Sequence, residues 1–270
     1  MKKKLLSILL VLTLILAACG GNKEGQKANE DGKKVIKIGV SPVPHEEIAK
    51  IAKEELAKEG IDLEIKVFDD YVQPNLAVKD KDLDANFFQH VPYMESFNKE
   101  NGTNIVSVGG VHVEPMAFYS KKVKSLDELK DGAEIIIPND ATNGARALLL
   151  LEKNGLIDLK DEVDLPTVLD IEKNPKNIKF TEVEAALITG SYEQVDGAVI
   201  NSNYAISKGL NPLKDGIVIE DKESDYANVI SVNADRKNDP DIQKLYKAFS
   251  SEKVKKFLEE KYKGAIVPAF

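Results

Sequence analysis

From Val35 to Lys263, short apolar runs alternate with segments whose apolar residues recur at helical spacing. That alternation restricts the chain to an α/β architecture with mostly parallel sheets. Val35–Val40, Leu63–Phe68, Asp84–Phe87, Ile105–Val113, Met116–Tyr119, Glu134–Ile137, Ile178–Val183, Ala198–Ile200, Gly216–Glu220 and Asn228–Asn233 read as strands. His45–Glu59, Pro92–Asn101, Thr142–Asn154 and Glu184–Gly190 read as helices, and Asp239–Lys263 as one or two more. Ser125 and Glu128 have the spacing of a capping box and predict a short helix there. Periodicity leaves one doubly wound sheet and two separate lobes both open, and 270 residues suffice for either. In each case ligands bind beyond the carboxyl ends of strands, so the loops that follow strands are where a site belongs.

The N-terminus sets the compartment. Lys2, Lys3 and Lys4 precede a run, Leu5 to Ala18, that is apolar except for Ser7 and Thr13. The run is short for a bilayer span, which needs roughly 20 residues. It has the charge, apolar middle and small final residues of a signal peptide. Cys19, the only cysteine, follows Leu16-Ala17-Ala18, and the tetrad resembles the bacterial lipoprotein box, in which the cysteine becomes the lipidated first residue. The expected organisation is therefore a leader over 1–18, then the lipidated Cys19 and a polar tether over 19–34. The folded part follows, held at the extracytoplasmic face of the cell membrane.

Composition removes several function classes. A lone cysteine excludes an intramolecular disulfide and a Cys-rich zinc module. Without the leader the chain carries 34 basic against 45 acidic residues, a net of −11, which argues against a nucleic-acid partner. There is no G-x-S-x-G elbow, no P-loop and no G-x-G-x-x-G after a strand, and no nucleophile–base pair is visible. The expectation is a non-enzyme without a cofactor. His45, His90 and His112 all fall near strand ends and could converge on zinc, but no pair has the close spacing that pre-forms a metal site.

Arginine usage is the sharpest positive signal. Of 37 basic residues only Arg146 and Arg236 are arginine. Arg236 lies in a polar turn. Arg146 lies in Asn139-Asp140-Ala141-Thr142-Asn143-Gly144-Ala145-Arg146, between a strand and an apolar helix. A guanidinium grips a carboxylate with two parallel hydrogen bonds, which Lys cannot do, and a helix N-terminus favours an anion. The carboxylate belongs either to a ligand or to an Asp or Glu of the chain. A second cluster, Asp69-Asp70-Tyr71 with Asn86-Phe87-Phe88-Gln89-His90-Val91-Pro92-Tyr93, suits a pocket with an apolar wall and a few polar contacts, one of the two Phe being core. Asn201, Asn203 and Asn228 form a third, and Asn both accepts from an ammonium and donates to a carboxylate.

Longer stretches carry a resemblance. They are Phe68-Asp69-Asp70-Tyr71-Val72-Gln73-Pro74-Asn75, Asp84-Ala85-Asn86-Phe87-Phe88-Gln89-His90, Glu114-Pro115-Met116, the Arg146 segment, Leu165-Pro166-Thr167-Val168-Leu169-Asp170, Val199-Ile200-Asn201-Ser202-Asn203-Tyr204-Ala205 and Ser224-Asp225-Tyr226-Ala227-Asn228. In order along the whole mature chain, these resemble the methionine-binding lipoproteins of ABC importers, the NlpA lipoprotein family. The resemblance implies a type II periplasmic-binding-protein fold: two α/β lobes, 35–119 plus 229–270 and 120–228, with a ligand cleft between them. It implies that Arg146 clamps the carboxylate of methionine, that Asn201 and Asn228 hold the head group, and that Glu114 meets the ammonium. Tyr71, Phe88, His90 and Tyr93 would line the thioether pocket, and Asn143 would orient the Arg146 loop. The implied partners are an ABC permease with its ATPase, and the implied state is a monomer. Gly144 and Ala145 depart from the family pattern without changing the spacing to Arg146. Asp225 stands where members often carry Pro, a departure that bears on D-methionine and methionine-containing dipeptides as ligands.

Overall fold

A computed structural model describes residues 32–221 and 226–270. The expected leader, Cys19, the tether up to residue 31 and Asp225 lie outside the described residues. In chain order the elements are β1 (Lys34–Val40), α1 (Glu47–Lys58), β2 (Ile61–Val67), α2 (Gln73–Lys79), β3 (Ala85–His90), α3 (Val91–Asn101), β4 (Ile105–Val113) and β5 (Ala117–Tyr119). Then come β6 (Glu134–Pro138), α4 (Ala141–Lys153), β7 (Asp158–Leu159), β8 (Ile171–Lys173), β9 (Lys179–Val183), α5 (Ala185–Ser191), β10 (Gly197–Ile200), α6 (Ser202–Ser207), α7 (Pro212–Asp215) and β11 (Val218–Ile219). The chain ends with β12 (Ala227–Asn233), α8 (Pro240–Phe249), α9 (Glu252–Tyr262) and β13 (Val267–Pro268).

The strands build two main sheets. One has the order β13-β4-β12-β3-β1-β2, the other β11-β5-β10-β6-β9, and β7 pairs with β8 apart from both. The chain passes between the sheets twice, after β4 and after β11. These passages explain why the expectation of mostly parallel sheets fails. β1 runs parallel to β2 and β3, and β6 parallel to β9 and β10. The strands next to each passage, β4, β12, β5 and β11, all pair antiparallel. β5 lies in the second sheet, although the sequence reading placed 117–119 with the first lobe. The two opening residues of β12, 227 and 228, lie in the first sheet rather than the second. Lys34 is the first residue of β1 rather than the last of a tether.

Both sheets bury apolar faces. Ile36, Ile38, Val40, Phe87 and Ile230 pack with Ile48, Ala52 and Leu56 of α1 and with Leu245, Phe249 and Leu258 of α8 and α9. The second sheet is covered on both sides, as its near-continuous apolar strands require. Ile135, Ile137 and Val199 meet Leu148 and Leu151 of α4. Ile136, Ala198 and Ile200 meet Ile188 of α5 on the opposite face. The alternation of Ile135, Ile136 and Ile137 between two cores is the two-residue period of a strand.

Two local expectations change. Ser125 makes no side-chain cap, and Glu128 accepts instead from the Lys124 N–H, so the segment closes as a single turn, Leu126–Glu128. α2 was not expected. It opens on Gln73-Pro74, and Asp70 accepts from the Val72 and Gln73 N–H groups ahead of it.

Gly197 allows the tightest packing in the second sheet. A Cβ there would lie 2.1 Å from Cζ of the buried Phe118. Gly197→Ala should therefore cost about 1–3 kcal/mol through overpacking. A urea midpoint equal to wild type would contradict that packing. Adding Phe118→Leu should recover part of the loss.

Candidate functional site

All nine residues singled out as binding candidates line one cavity between the two sheets: Tyr71, Phe88, His90, Tyr93, Glu114, Asn143, Arg146, Asn201 and Asn228. Gln89, Ser202 and Asn203 complete the lining, and the enclosed free volume is about 20 Å³. The first sheet supplies the aromatic wall. Val229 pairs with Gln89 and Ile230 with Phe87, so Phe88 is the extra residue of a bulge. Phe87 enters the core, as one of the two was expected to, while Phe88 joins Tyr71, Tyr93 and Phe97. Tyr71 lies 5.7 Å from Phe88 and 5.8 Å from Tyr93, ring centre to ring centre. Below this wall Gln89 is fixed by a buried amide network with Asn75 and Asn86.

His90 and Asn143 join the two halves. His90 ends β3 and caps α3, its Nδ1 accepting from the Tyr93 N–H at 3.2 Å. The other nitrogen therefore carries the proton and donates to Asn143 Oδ1, 3.2 Å away. The same oxygen accepts from Asn201 Nδ2 at 2.9 Å, while Asn143 Nδ2 donates to Asp140, the cap of α4. Asn143 thus positions His90 and Asn201 as well as the start of α4. Tyr71 donates to Asn203 Oδ1 at 2.6 Å, and Tyr204 donates to the Asp69 carbonyl at 2.9 Å, both across the cleft.

Arg146 is buried, and the carboxylate in its fork is Glu220. Nε donates to one Glu220 oxygen at 2.8 Å and Nη2 to the other, and Nη2 also donates to the Glu114 carbonyl at 2.8 Å. The Tyr226 ring stacks over the guanidinium, 4.3 Å from its centre. The two-bond grip inferred from the sequence is thus internal. Only Nη1 makes no hydrogen bond among the described residues, and it is left for a ligand. Glu220 escaped the sequence reading because no spacing connects it with a residue 74 positions earlier.

Glu114 faces the cavity from the passage after β4. Its Oε1 accepts from His112 Nε2 at 2.7 Å, and His45 Nε2 lies 3.3 Å away. His45 Nε2 is also 3.2 Å from Asn228 Oδ1. Burial pushes the Glu114 carboxyl up, against the pull of His45 and Arg146. Burial holds His45 down at about 4, although Glu114 opposes it, and holds His112 down at about 3. His90 is held at about 3 by burial and by the Arg146 charge.

The three-histidine zinc set does not form. His45 and His112 converge with Glu114, their ligating atoms within 4.8 Å of one another, while His90 is engaged with Asn143. The His45–His112–Glu114 group suits hydrogen bonding better than a metal. Histidines that ligate through Nε2 carry the proton on Nδ1 and donate it to a neighbouring acceptor. Both Nδ1 atoms here are buried with no partner, so each ring is better served with its proton on Nε2, toward Glu114 and Asn228.

Two further atoms mark what the cavity can hold. Asn201 Oδ1, an acceptor, and Asn203 Nδ2, a donor, are buried without a partner. An orphaned buried amide atom costs about 1–3 kcal/mol, so these two call for a ligand. Glu114 and Asn201 Oδ1 suit an ammonium. Arg146 Nη1 and Asn203 Nδ2 suit a carboxylate. The aromatic wall suits an apolar side chain. Asn203 and Gln89 stood in the clusters read from sequence without a role of their own, Asn203 because turn or cap duty is the ordinary expectation for Asn.

The buried histidines predict a pH-dependent stability. Each has a folded-state value below 6.5, so its neutral form contributes fully above pH 6.5. As pH falls, the unfolded chain takes up protons first, and about 1.4 kcal/mol per pH unit is lost for each histidine. The loss continues down to the folded-state values of about 4 and about 3. Glu114, raised on folding by burial, acts in the opposite sense above its ordinary value and offsets one proton. Urea midpoints should fall between pH 7 and pH 5; a flat or rising profile would mean that these histidines are charged in the fold.

The chain matches the family model described as NlpA lipoprotein over residues 36–270. It is similar to the methionine-binding lipoprotein MetQ of Bacillus subtilis (strain 168), with 43% identity and 99% of each chain covered. It is also similar to the D-methionine-binding lipoprotein MetQ of Escherichia coli (strain K12), with 44% identity over 96% of this chain and 94% of that one. Among solved structures it is similar to a nutrient-binding protein from Burkholderia cenocepacia bound to methionine. That match has a TM-score of 0.85 and 44% identity, and covers 87% of this chain and 100% of the other. The α/β fold is thus that of substrate-binding proteins, and the chain belongs to the NlpA lipoprotein family.

Proposed function

We propose that this protein is a lipid-anchored, extracytoplasmic substrate-binding protein that captures methionine between its two sheets and delivers it to an ABC importer. One observation carries the reading: residues from both halves surround a single cavity whose unpartnered polar atoms match an amino-acid head group and whose wall is aromatic. The names of the relatives, for methionine and for D-methionine, supply the side chain. In this reading Arg146 Nη1 and Asn203 Nδ2 meet the ligand carboxylate, while Glu114 and Asn201 meet the ammonium. Asn228 lies beside the head group, and Tyr71, Phe88, His90 and Tyr93 hold the thioether, where sulfur–aromatic contact is favourable. The two sheets are the cores of two lobes, divided near residues 114–116 and again after β11, and opening them releases the ligand.

The protein would act as a monomer, docking on a permease whose ATPase drives transport. Membrane attachment falls to Cys19. No helix among the described residues is long and apolar enough to cross a bilayer. The relatives are substrate-binding proteins, which supports binding without chemistry as the whole task.

Native mass spectrometry of residues 20–270, followed by calorimetric titration with each hand of methionine after stripping, tests the reading. A bound mass of methionine or a saturable one-site titration is expected; a protein indifferent to both hands would overturn it. Arg146→Ala should weaken binding by about 2–5 kcal/mol, because it removes Nη1 and leaves the Glu220 carboxylate facing that of the ligand. Unchanged affinity in this variant would remove Arg146 from the site.

A further inference from the structure

The charges around the cavity do not balance as the sequence suggested, and the imbalance bears on what the site demands of a ligand. Among the described residues, Arg146 and Glu114 are the only Arg, Lys, Asp or Glu in the lining. Glu220 sits behind Arg146 with both oxygens on its guanidinium, and so neutralises it before a ligand arrives. The three histidines nearby are neutral at pH 7. Formally, the set Arg146, Glu220 and Glu114 carries one net negative charge, located at Glu114. That carboxylate takes a hydrogen bond from His112 and lies 3.3 Å from His45 Nε2, but no lysine or arginine side chain forms an ion pair with it among the described residues. Asn201 Oδ1, buried and unpartnered, adds a second acceptor.

We infer that Glu220 makes the α-ammonium, rather than the carboxylate, the charge that the cavity requires. The site then selects α-amino compounds with an apolar side chain, tolerates a carboxyl masked as an amide, and rejects the α-keto acid. The inference rests on the reading of the cavity as a methionine site and deepens it. An α-keto acid brings a negative charge to an Arg146 already compensated by Glu220, and leaves Glu114 buried without a counter-charge. An amino amide places its ammonium against Glu114 and asks of Arg146 only a neutral hydrogen bond from Nη1. Truncating one partner of a buried charge pair is far costlier than weakening a charge-assisted bond to a neutral one. Glu220 is thus a positioning residue: it acts on the ligand through the guanidinium it holds.

Competition calorimetry with methionine, methioninamide and the α-keto acid of methionine tests this at pH 7. Wild type should bind the amide more tightly than the keto acid by about 30-fold or more. Glu220→Gln, which keeps the hydrogen-bonding shape and removes the charge, should move that ratio by about tenfold or more toward the acid. A keto acid that binds as well as the amide, or a ratio unmoved in Glu220→Gln, would overturn the inference while leaving methionine binding intact. Wild type that fails to bind methionine at all would sink the functional reading and this inference with it. The wild-type ratio stands alone as a test should Glu220→Gln fold poorly.

Discussion

The buried ion pair between Arg146 and Glu220 is the constraint around which the cleft is organised. A guanidinium this deep must have its charge and its donors met inside the protein. Nε and Nη2 are met by Glu220, at the end of the second sheet, and by the Glu114 carbonyl, in the first passage between the sheets, while Nη1 is left toward the cavity. The Met116 N–H also donates to Glu220, 3.1 Å away, so one carboxylate ties the first passage to the approach to the second. Tyr226, just before β12, covers the flat face. A single residue on α4 is therefore fastened to both places where the chain changes sheet. Any movement of one half on the other must turn about, or strain, this group.

The histidines obey the same rule by a different route. Burial outweighs the pull of Glu114 on His45, and each of the three avoids the cost of a buried charge by staying neutral. Neutral imidazole offers one donor and one acceptor. At His90 both are used, one to cap α3 and one to reach Asn143 across the cleft. At His45 and His112 only Nε2 is used, and the bare Nδ1 faces core. Ring packing compensates: His45 lies 4.7 Å from Phe87 and 5.0 Å from His112, edge to face. A proton on either Nδ1 would be stranded there. His112 therefore donates to Glu114, and His45 beside it to Asn228, so the pair braces the Glu114 carboxylate from behind.

How far the sequence could be read follows from which contacts are local. β1, β4, β9 and α4 were legible because their apolar residues repeat at the period of the element that buries them. The Arg146 loop was legible because a strand, a cap and an apolar helix are all contiguous around it. The nine lining residues were reached through motifs, each a few residues long and each at a strand end. Glu220 was not legible: its role exists only across 74 positions. Nor was the antiparallel pairing of β5 and β12, because a strand's direction depends on where the chain crosses between sheets, which no local pattern records. The Ser125 capping box failed for a physical reason of another kind. Its Glu128 found a nearer donor in the Lys124 N–H, and three residues of turn did not need two reciprocal bonds.

Closure of the cleft cannot rest on the contacts across it alone. Tyr71 to Asn203, Tyr204 to the Asp69 carbonyl and His90 to Asn143 are three hydrogen bonds that water would replace on opening. Each is worth only about 1 kcal/mol net. Against them stand Asn201 Oδ1 and Asn203 Nδ2, which closure buries without partners. Leaving two such atoms unmet costs about as much as the three bonds contribute. In the proposed role this near-balance is useful. A ligand that satisfies both amides and pairs with Glu114 shifts the population toward the closed form, and one that satisfies neither leaves the cleft free to open. The same atoms that recognise the head group are then those that report its presence to the rest of the molecule.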